Sequence, residues 1–241
     1  MQETESLREG EGVKAPRIQV KDKGSMLIRE LGTISYQEGF ALQEHLAAVV
    51  HGDPSRETLL LLEHPLVYSM GRSGSDGSIL DPSVEVVRIN RGGDVTCHAP
   101  GQLVGYPIIN LGLRGKDLRR HLRFLEELLI LTAADFGVTA YRVDGRTGVW
   151  TDSGKLASIG VGVRRWVSMH GFALNVSNDL AFFRKIHPCG IEQCPVASLE
   201  SILGREVSLL DVSSRISGRF ETLLNEWQPF AGCGDHRGAG A

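Results

Sequence analysis

The sequence predicts an α+β fold in which helices cover mixed or antiparallel sheets. Several β-rich apolar runs follow one another directly, with only Gly, Asn and Asp turn signals between them, as in residues 155–163 and 167–176. Helical periodicity is confined to a few separate segments. Strands and helices therefore do not alternate strictly, as a doubly wound parallel sheet requires.

The first predicted helix begins with a capping box. Ser35 and Glu38 have the spacing at which each side chain binds the other residue's backbone N–H, and Gly52 ends the helix. The apolar residues that recur along one side of it are Leu42, Leu46 and Val49. Residues 58–65 (TLLLLEHP) then read as a buried strand. Further strands are predicted for residues 84–90, 103–111, 138–143, 148–151, 155–163 and 167–176.

A second helix is predicted from Asp117 to Phe136, with Gly137 as its C-terminal cap. Its leucines at helical spacing are Leu118, Leu122, Leu125 and Leu129. We also expect helices over residues 179–186, 196–204 and 209–227.

Composition favours one folded domain. A chain of 241 residues with 41% hydrophobic residues is long enough to bury a full core. We place the domain at residues 25–230. The segments at residues 1–24 and 231–241 lack apolar periodicity and are rich in charge or in glycine, so we expect flexible tails there.

Charge and cysteine usage exclude several classes of protein. A net charge of -3 gives no general field for nucleic acid or an anionic membrane. Four cysteines, at positions 97, 189, 194 and 233, are too few and too irregular for a disulfide framework, which favours a reducing cytoplasm. We find no secretory signal and no apolar run of about 20 residues, so no membrane span is predicted.

Three segments place small or polar residues beside predicted strands. They are residues 91–102 (RGGDVTCHAPGQ), residues 154–163 together with 170–176, and residues 187–190 (HPCG). A Gly-Gly pair followed by Thr, His and Pro-Gly is typical of a tight loop that closely approaches a ligand. The same residues are also compatible with turns whose glycines are purely structural.

Cys189 and Lys155 are the two residues that point to covalent chemistry. Cys189 lies between Pro188 and Gly190, which fix a turn and leave room around the sulfur; the alternative is a small buried core residue. Lys155 lies between Gly154 and an apolar strand, so its ammonium can be held at the edge of the core; the alternative is a lysine that extends into water.

Taken together and in this order, these segments resemble the signature of the lipoyl(octanoyl) transferases. The matching elements are the RGG..T.H.PGQ loop, the GVW...K.ASIGV strand pair, HG.ALNV and I.PCG, over a stretch from about Leu59 to Leu203. The resemblance implies a single catalytic domain with the biotin/lipoate protein ligase fold. It also implies that Cys189 carries an acyl thioester and that Lys155 modulates it. The residues implied to line the acyl pocket are Arg91, Gly92, Gly93, Asp94, Val95, Thr96, Cys97, His98, Ser158, Ile159, Gly160, Gly171, Phe172 and Ala173.

The family's reaction then supplies the expected partners. The donor would be octanoyl-acyl carrier protein. The acceptors would be lysines of the lipoyl domains of 2-oxoacid dehydrogenases and of the glycine cleavage H protein. No cofactor and no metal are expected, and we expect a monomer.

Two positions depart from the family pattern. Position 97 is Cys where the family usually has an aromatic residue, and position 99 is Ala where Gly is usual. The first departure suggests a second thiol near the site. We therefore consider a reversible Cys97–Cys189 disulfide that switches activity off under oxidation.

The dyad suggests a two-step mechanism. The thiolate is the nucleophile, and a positive charge about 4 Å away is worth about 4 kcal/mol at an effective dielectric of about 20. Once Cys189 is acylated, Lys155 loses this partner and can act as general base toward the acceptor amine. Backbone N–H groups near Leu156 or Ala157 are candidates for stabilising the oxyanion.

Several competing functions remain open at this point. An ATP-dependent lipoate or biotin ligase would share the fold, although Gly154 and Lys155 are followed by Leu156 and form no GxxxxGK[ST] loop. A cysteine hydrolase would use His170 or His187 as base. A zinc site would have to come from Cys97, His98, Cys189 and Cys194, which lack the usual spacing. A module that binds acyl groups or carrier proteins without turnover is the non-enzymatic possibility.

A group of basic residues precedes and opens the second predicted helix. It comprises Arg114, Lys116, Arg119, Arg120 and Arg123. Such a group is usually a solvated helix face, but it could also dock the acidic carrier protein and lipoyl domain.

Overall fold

The computed structural model describes residues 17–19 and 26–231. The predicted tails at residues 1–24 and 231–241 therefore lie outside the described residues, with two exceptions. Arg17–Gln19 form a strand that pairs antiparallel with the next strand. Ala231 donates its N–H to the carbonyl of Leu113 at 2.7 Å. This strand was not predicted, because three residues are too few to show an apolar pattern.

The strands are β1 (Arg17–Gln19), β2 (Leu27–Thr33), β3 (Thr58–Glu63), β4 (Val67–Met70), β5 (Val86–Arg88), β6 (Val95–His98), β7 (Gln102–Ile108), β8 (Tyr141–Val143), β9 (Arg146–Thr151), β10 (Gly154–Arg164) and β11 (Val167–Asn175). The α-helices are α1 (Tyr36–Gly52), α2 (Leu118–Asp135), α3 (Leu199–Leu203) and α4 (Leu209–Trp227). Short 3-10 turns include Asp76–Ser78, Leu180–Lys185 and Pro188–Gly190.

Eight of the described strands form one mixed sheet in the order β1-β2-β3-β7-β11-β10-β9-β8. Strand β2 pairs parallel with β3, and the other neighbours pair antiparallel. Strands β5, β4 and β6 form a second, smaller sheet. The predicted α+β fold with mixed sheets is therefore confirmed.

Helices cover both faces of the large sheet. Helices α2 and α4 pack against one face over a large apolar core that includes Phe124, Leu156 and Phe220. Helix α1 covers the other face over a smaller core that includes Val50, Leu60 and Tyr106. The large sheet thus has a separate apolar layer on each side.

Helix α1 has the predicted capping box but a different buried side. Ser35 and Glu38 bind each other's backbone N–H groups as expected. The buried residues are Tyr36, Gly39, Gln43, Ala47 and Val50, whereas Leu42, Leu46 and Val49 are only half-buried. The prediction followed the large apolar residues, but the helix turns its small and polar residues toward the sheet.

Three of the other helical predictions hold. Helix α4 has the predicted bounds, whereas α2 and α3 are shorter than predicted. Asp117 is the N-cap of α2, and Gly137 follows its end with a φ of 81°. The segment expected to be a helix over residues 179–186 is a 3-10 helix instead. Ile186, at the end of this segment, pairs with Ile79 in an isolated antiparallel β-bridge instead of continuing the helix.

The basic residues 114–123 do not form one surface. Lys116, Arg119 and Arg120 are exposed, but Arg114 is buried. Arg114 donates from Nη2 to Glu57 Oε2 at 2.7 Å and from Nε to Glu57 Oε1 at 3.1 Å. This bidentate pair links the segment before α2 to the strand edge at β3, so including Arg114 in a docking surface was wrong.

Loss of this buried pair should destabilise the fold. Arg114→Ala leaves the Glu57 carboxylate buried without its cation, which costs about 3–5 kcal/mol in free energy of unfolding. The control Arg164→Ala removes an exposed pair with Glu44 and should cost less than about 1 kcal/mol. Guanidinium unfolding at pH 7 measures both. Equal losses in the two variants would contradict the structural role of Arg114.

Candidate active site

The Lys155 side chain meets the Cys189 sulfur. Lys155 Nζ donates to Cys189 Sγ at 2.7 Å, and Lys155 is only 2% exposed. A buried ammonium needs a counter-charge or strong acceptors, and among the described residues the sulfur is the acceptor that this amine finds. The contact favours an ammonium–thiolate pair, in which the sulfur is nucleophilic.

Backbone hydrogen bonds and the absence of a Cβ at Gly148 position Lys155. Its N–H donates to Pro195 O at 2.8 Å, and its carbonyl accepts from Ala197 N at 3.0 Å. The pairing of β10 with β9 shifts register between Lys155 and Ala157. A Cβ on Gly148 would lie 3.0 Å from Lys155 Cε and 2.6 Å from Ala157 O, so glycine makes room for the lysine stem.

The turn that carries Cys189 is strained and anchored. Cys189 has φ 58° and ψ 27°, the left-handed region that costs a non-glycine residue about 1–2 kcal/mol. His187 N donates to Ser78 O at 2.8 Å ahead of the turn. A Cβ on Gly190 would lie 2.7 Å from Asp94 Oδ2, an oxygen that also accepts from Ser78 Oγ at 2.8 Å. Asp94 and Ser78 thus hold the turn from both sides.

A narrow cavity of about 40 Å³ reaches Cys189 on the α1 face of the large sheet. Its lining comprises Tyr36, Arg91, Gly93, Thr96, His98, Tyr106, Ser158, Ile159, Gly160, His170, Gly171, Phe172, Ala173 and Cys189. We call it the inner cavity. Residues of α1, β6, β7, β10 and β11 meet there, so the small sheet and the large sheet both contribute walls.

Two neutral histidines, His98 and His170, line the inner cavity. Burial lowers the pKa of His98 to about 3 and that of His170 to about 4. His98 Nδ1 pairs with Gln102 Oε1 at 2.9 Å, and His170 Nε2 pairs with Asn90 Oδ1 at 3.0 Å. Both rings are therefore uncharged at neutral pH and hold the cavity wall through amide side chains.

Arg91 is a buried cation at the cavity wall. It is 7% exposed, and burial lowers its pKa from the usual value. Its Nη2 donates to Ser69 O at 2.7 Å and its Nη1 to Gly92 O at 3.0 Å, whereas among the described residues its buried Nε has no hydrogen-bond partner. Backbone carbonyls therefore hold the guanidinium at the wall of the inner cavity.

A second, wider cavity of about 460 Å³ reaches Cys189 on the α2 face. Its lining comprises Arg72, Ser73, Gly92, Gly93, Asp94, Leu118, Leu122, Gly145, Arg146, Thr147, Ile159, Gly160, Val161, Cys189 and Ile191. We call it the outer cavity. Because side chains alternate along a strand, Ser158 and Ile159 of β10 point to opposite faces. The loop at Gly92 crosses β10, where its N–H donates to Val161 O at 2.8 Å.

Comparison with known proteins identifies the family. Residues 35–221 match the lipoyl protein ligase A/B catalytic domain. The chain belongs to this family. Among curated relatives, an octanoyltransferase of Pelobacter propionicus is 60% identical over 207 residues, covering 86% of this chain and 99% of that protein. An octanoyltransferase of Geobacter metallireducens is 63% identical over 205 residues, covering 85% and 96%.

Solved structures with the same fold are more distant in sequence. Lipoate-protein ligase A bound with ATP superposes with a TM-score of 0.68 at 17% identity, over 85% of this chain and 86% of that one. Biotin protein ligase from Aquifex aeolicus superposes with a TM-score of 0.50 at 14% identity, over 85% and 71%. The expected resemblance to the biotin/lipoate ligase fold is therefore confirmed.

The structure brings most of the predicted site residues together. Arg91, Gly93, Thr96, His98, Ser158, Ile159, Gly160, Gly171, Phe172 and Ala173 line the inner cavity. Gly92 and Asp94 line the outer cavity only. Val95 and Cys97 line neither, because they point to the other face of β6, into the core of the small sheet. Strand alternation, which a motif read as a continuous run ignores, explains this difference.

Cys97 is a poor partner for the expected redox switch. It is 0% exposed, it packs beside Tyr68 and Phe183, and burial raises the pKa of its thiol to about 12. Both Cys97 and Cys189 are free in the structure. A thiol with a raised pKa in an apolar core reacts slowly, so this geometry argues against a Cys97–Cys189 disulfide.

The surroundings of Cys189 do not support a cysteine hydrolase, and the described residues do not form a zinc site. A cysteine hydrolase needs a histidine on the sulfur, but Lys155 occupies that place and His170 binds Asn90. Among the described residues, no group of three His, Cys, Asp or Glu side chains is arranged to hold a metal ion.

Also within residues 17–19 and 26–231, we find no helix with the length and apolar character needed to cross a membrane.

Sequence reasoning missed several residues that line the inner cavity or hold its wall in place. Tyr36 and Tyr106 line the inner cavity. Asn90, Gln102 and Ser78 bind His170, His98 and Asp94 respectively. Neutral polar residues of this kind carry no spacing signal, and only the folded chain brings them to the site. The exceptions are Gln102, which ends the motif at residues 91–102, and Asn90, which directly precedes it.

Displacing Lys155 should make Cys189 less nucleophilic. Gly148→Ala places a methyl group at φ 122° and within 3.0 Å of Lys155 Cε. Loss of about 1.4 kcal/mol of thiolate stabilisation would slow alkylation of Cys189 by iodoacetamide about tenfold at pH 7. Peptide mass analysis separates Cys189 from Cys194.

The matched control is Gly52→Ala, where an added Cβ has nothing within 4 Å. It should alkylate at the wild-type rate. An unchanged rate in Gly148→Ala, with Lys155→Met slowed, would show that the lysine does not depend on the space at Gly148.

The buried histidines should make the fold acid-sensitive. Burial lowers the pKa of His121 to about 4, as it lowers those of His98 and His170. Unfolded histidine titrates near 6.5, so below that pH the unfolded state binds more protons and the free energy of unfolding falls, by up to about 1.4 kcal/mol per pH unit for each ring. Guanidinium unfolding at pH 7.5 and 5.0 measures the loss.

His121→Gln removes one titrating ring, which contacts Gln228 and lies outside both cavities. The loss between the two pH values should shrink by about 2 kcal/mol at most. The exposed-site control His51→Gln should leave the loss unchanged. If His121→Gln behaved like this control, the acid sensitivity would originate in other groups.

Proposed function

We propose that this chain is an octanoyltransferase that passes an octanoyl group from a carrier-protein thioester, through a thioester on Cys189, to a lysine of a lipoyl domain. The observation that carries the proposal is the 2.7 Å contact between Lys155 Nζ and Cys189 Sγ at the junction of two cavities. The octanoyltransferases that are about 60% identical over most of the chain support the acyl group and the reaction class.

In the first half-reaction, the Cys189 thiolate attacks the carbonyl carbon of the donor thioester. The tetrahedral intermediate breaks the bond to the donor sulfur, and Lys155 gives that leaving thiolate its proton. One thioester replaces another, so no ATP is consumed. Arg91 lines the inner cavity together with Cys189, so its positive charge would stabilise the oxyanion.

In the second half-reaction, Lys155 acts as the base. It is now neutral and buried, with its former counter-charge converted to a thioester. It takes a proton from the acceptor ammonium, the free amine attacks the acyl carbon, and an amide forms as the Cys189 thiolate leaves. The second amine proton passes to solvent, which restores the ammonium–thiolate pair.

The inner cavity is the proposed acyl site. At about 40 Å³ it holds only a few water molecules, so its walls must separate when an acyl chain enters. Each methylene buried there is worth about 0.8 kcal/mol, which gives a few-fold discrimination per carbon. The neutral state of His98 and His170 suits this role, because charged rings would oppose an alkyl chain.

An ATP-dependent ligase is the second candidate function. The lipoate-protein ligase A structure with ATP shares the fold. The argument for a transferase is Cys189 with its lysine, since an adenylating enzyme activates the acyl group without a cysteine. Lipoyl domains as acceptors, the monomeric state and the cytoplasmic location stay predictions.

Acylation of Cys189 without ATP tests the proposal. Intact-protein mass spectrometry after mixing with octanoyl-acyl carrier protein should show one octanoyl adduct on the wild type and none on Cys189→Ala. The adduct should be labile to hydroxylamine and discharged by a lipoyl domain. An adduct that forms only with ATP would establish the ligase instead.

The two roles of Lys155 can be separated. Lys155→Arg keeps a positive charge but cannot release a proton at neutral pH. It should retain measurable Cys189 acylation and lose amide formation by about 100-fold or more, the scale of general base catalysis. Lys155→Met should lose acylation at pH 7 and regain part of it at higher pH. Amide formation at the wild-type rate by the Arg variant would rule out the base role.

A further inference from the structure

The proposed acyl-transfer steps assign no part of the donor to the outer cavity. It reaches Cys189 from the α2 face, opposite the proposed acyl site, and it is about 460 Å³ in volume. The two cavities share Gly93, Ile159, Gly160 and Cys189 and otherwise have different walls. A substrate that reacts at the sulfur can therefore extend in two directions from its reacting bond.

We propose that the outer cavity binds the phosphopantetheine arm of the acyl donor, and that Arg72 and Arg146 bind the phosphate of that arm. The inference rests on the proposed function, because it assumes a thioester donor. Such a donor has an apolar acyl chain on one side of its thioester and a long amide-containing arm on the other. Two cavities that meet at Cys189 match this division.

Arg72 and Arg146 supply the charge for a phosphate. Both are exposed, and both line the outer cavity. Among the described residues, neither guanidinium has a carboxylate within salt-bridge distance, whereas six other arginines do. Two arginines without carboxylate partners in the lining of one cavity can bind an anion such as a phosphate.

Both arginines start from fixed positions. Arg72 N donates to Arg91 O at 3.0 Å, and Ser73 N donates to Gly93 O at 3.2 Å, so this loop is tied to the RGG loop. Arg146 begins β9, and its guanidinium lies 5.5 Å from the centre of the Trp150 ring. A backbone that is already fixed loses less conformational entropy when the anion binds.

The lining contains one acidic side chain, Asp94, and both of its oxygens already accept hydrogen bonds. Asp94 accepts from Val95 N through Oδ1 at 2.6 Å and from Ser78 Oγ through Oδ2 at 2.8 Å. Its Oδ2 lies toward the Cys189 turn, where a Cβ on Gly190 would be 2.7 Å from it. Leu118, Leu122 and Ile191 form apolar walls for the methylenes and geminal methyl groups of the arm.

The proposal separates the two half-reactions. After the donor arm has left, the same cavity is the open route to the thioester for the acceptor lysine. That side chain carries no phosphate. Arg72 and Arg146 should therefore speed acylation of Cys189 and contribute nothing through phosphate contact to its discharge.

Paired donors with and without the phosphate test this assignment. Octanoyl-4′-phosphopantetheine and octanoyl-pantetheine differ only in that group. Wild-type Cys189 should be acylated about tenfold faster or more by the phosphorylated donor under subsaturating conditions, with the rate followed by intact-protein mass spectrometry. The double variant Arg72→Ala/Arg146→Ala should lose this preference, so that both donors acylate it at the same rate.

Two controls make the result specific. Arg205→Ala removes an exposed arginine that lines neither cavity, and it should keep the full preference. The double variant should have the wild-type midpoint of guanidinium unfolding, because both side chains are exposed, and this shows that it is folded.

The failures are distinguishable. No acylation of wild-type Cys189 by any thioester donor would overturn the proposed function. Equal wild-type rates with the two pantetheine donors would overturn the phosphate assignment alone. Calorimetric binding of ATP that the double variant loses would also overturn it, in favour of a nucleotide in the outer cavity.

Discussion

The contact between the Lys155 ammonium and the Cys189 sulfur is the constraint that the surrounding structure satisfies. The two residues lie 34 positions apart, one at the start of a central strand and one in a turn beyond β11. A charge held at 2% exposure is costly unless its partner is at the right distance. The glycine at position 148, the anchored turn at Cys189 and the backbone bonds of Lys155 all serve that distance.

Much of the fold was predictable because its signals are local. The capping box of α1, the caps of α2 and the apolar runs of the central strands each depend on a few adjacent residues. Family membership followed from four motifs in order. What depended on distant contacts was missed, such as the burial of Arg114 by Glu57 and the burial of small residues on α1.

The candidate site shows the same division. The nucleophile and its lysine could be proposed from sequence, and the structure places them in contact. The motif at residues 91–98 could not be divided without knowing that Val95 and Cys97 face the small-sheet core while Thr96 and His98 face the inner cavity. The outer cavity had no sequence signal, because its lining comes from six separate segments.

The small and polar residues on the buried side of α1 have an energetic consequence. Gly39, Gln43 and Ala47 bury little apolar area, whereas α2 and α4 bury phenylalanines and several leucines. Hydrophobic stabilisation scales with that area, so this middle part of α1 gains less from burial than the helices opposite, although Tyr36 and Val50 are buried at its two ends. Segments with few buried apolar contacts open locally at low free-energy cost. Such opening would widen the inner cavity from the α1 side and leave the layer beneath α2 and α4 intact.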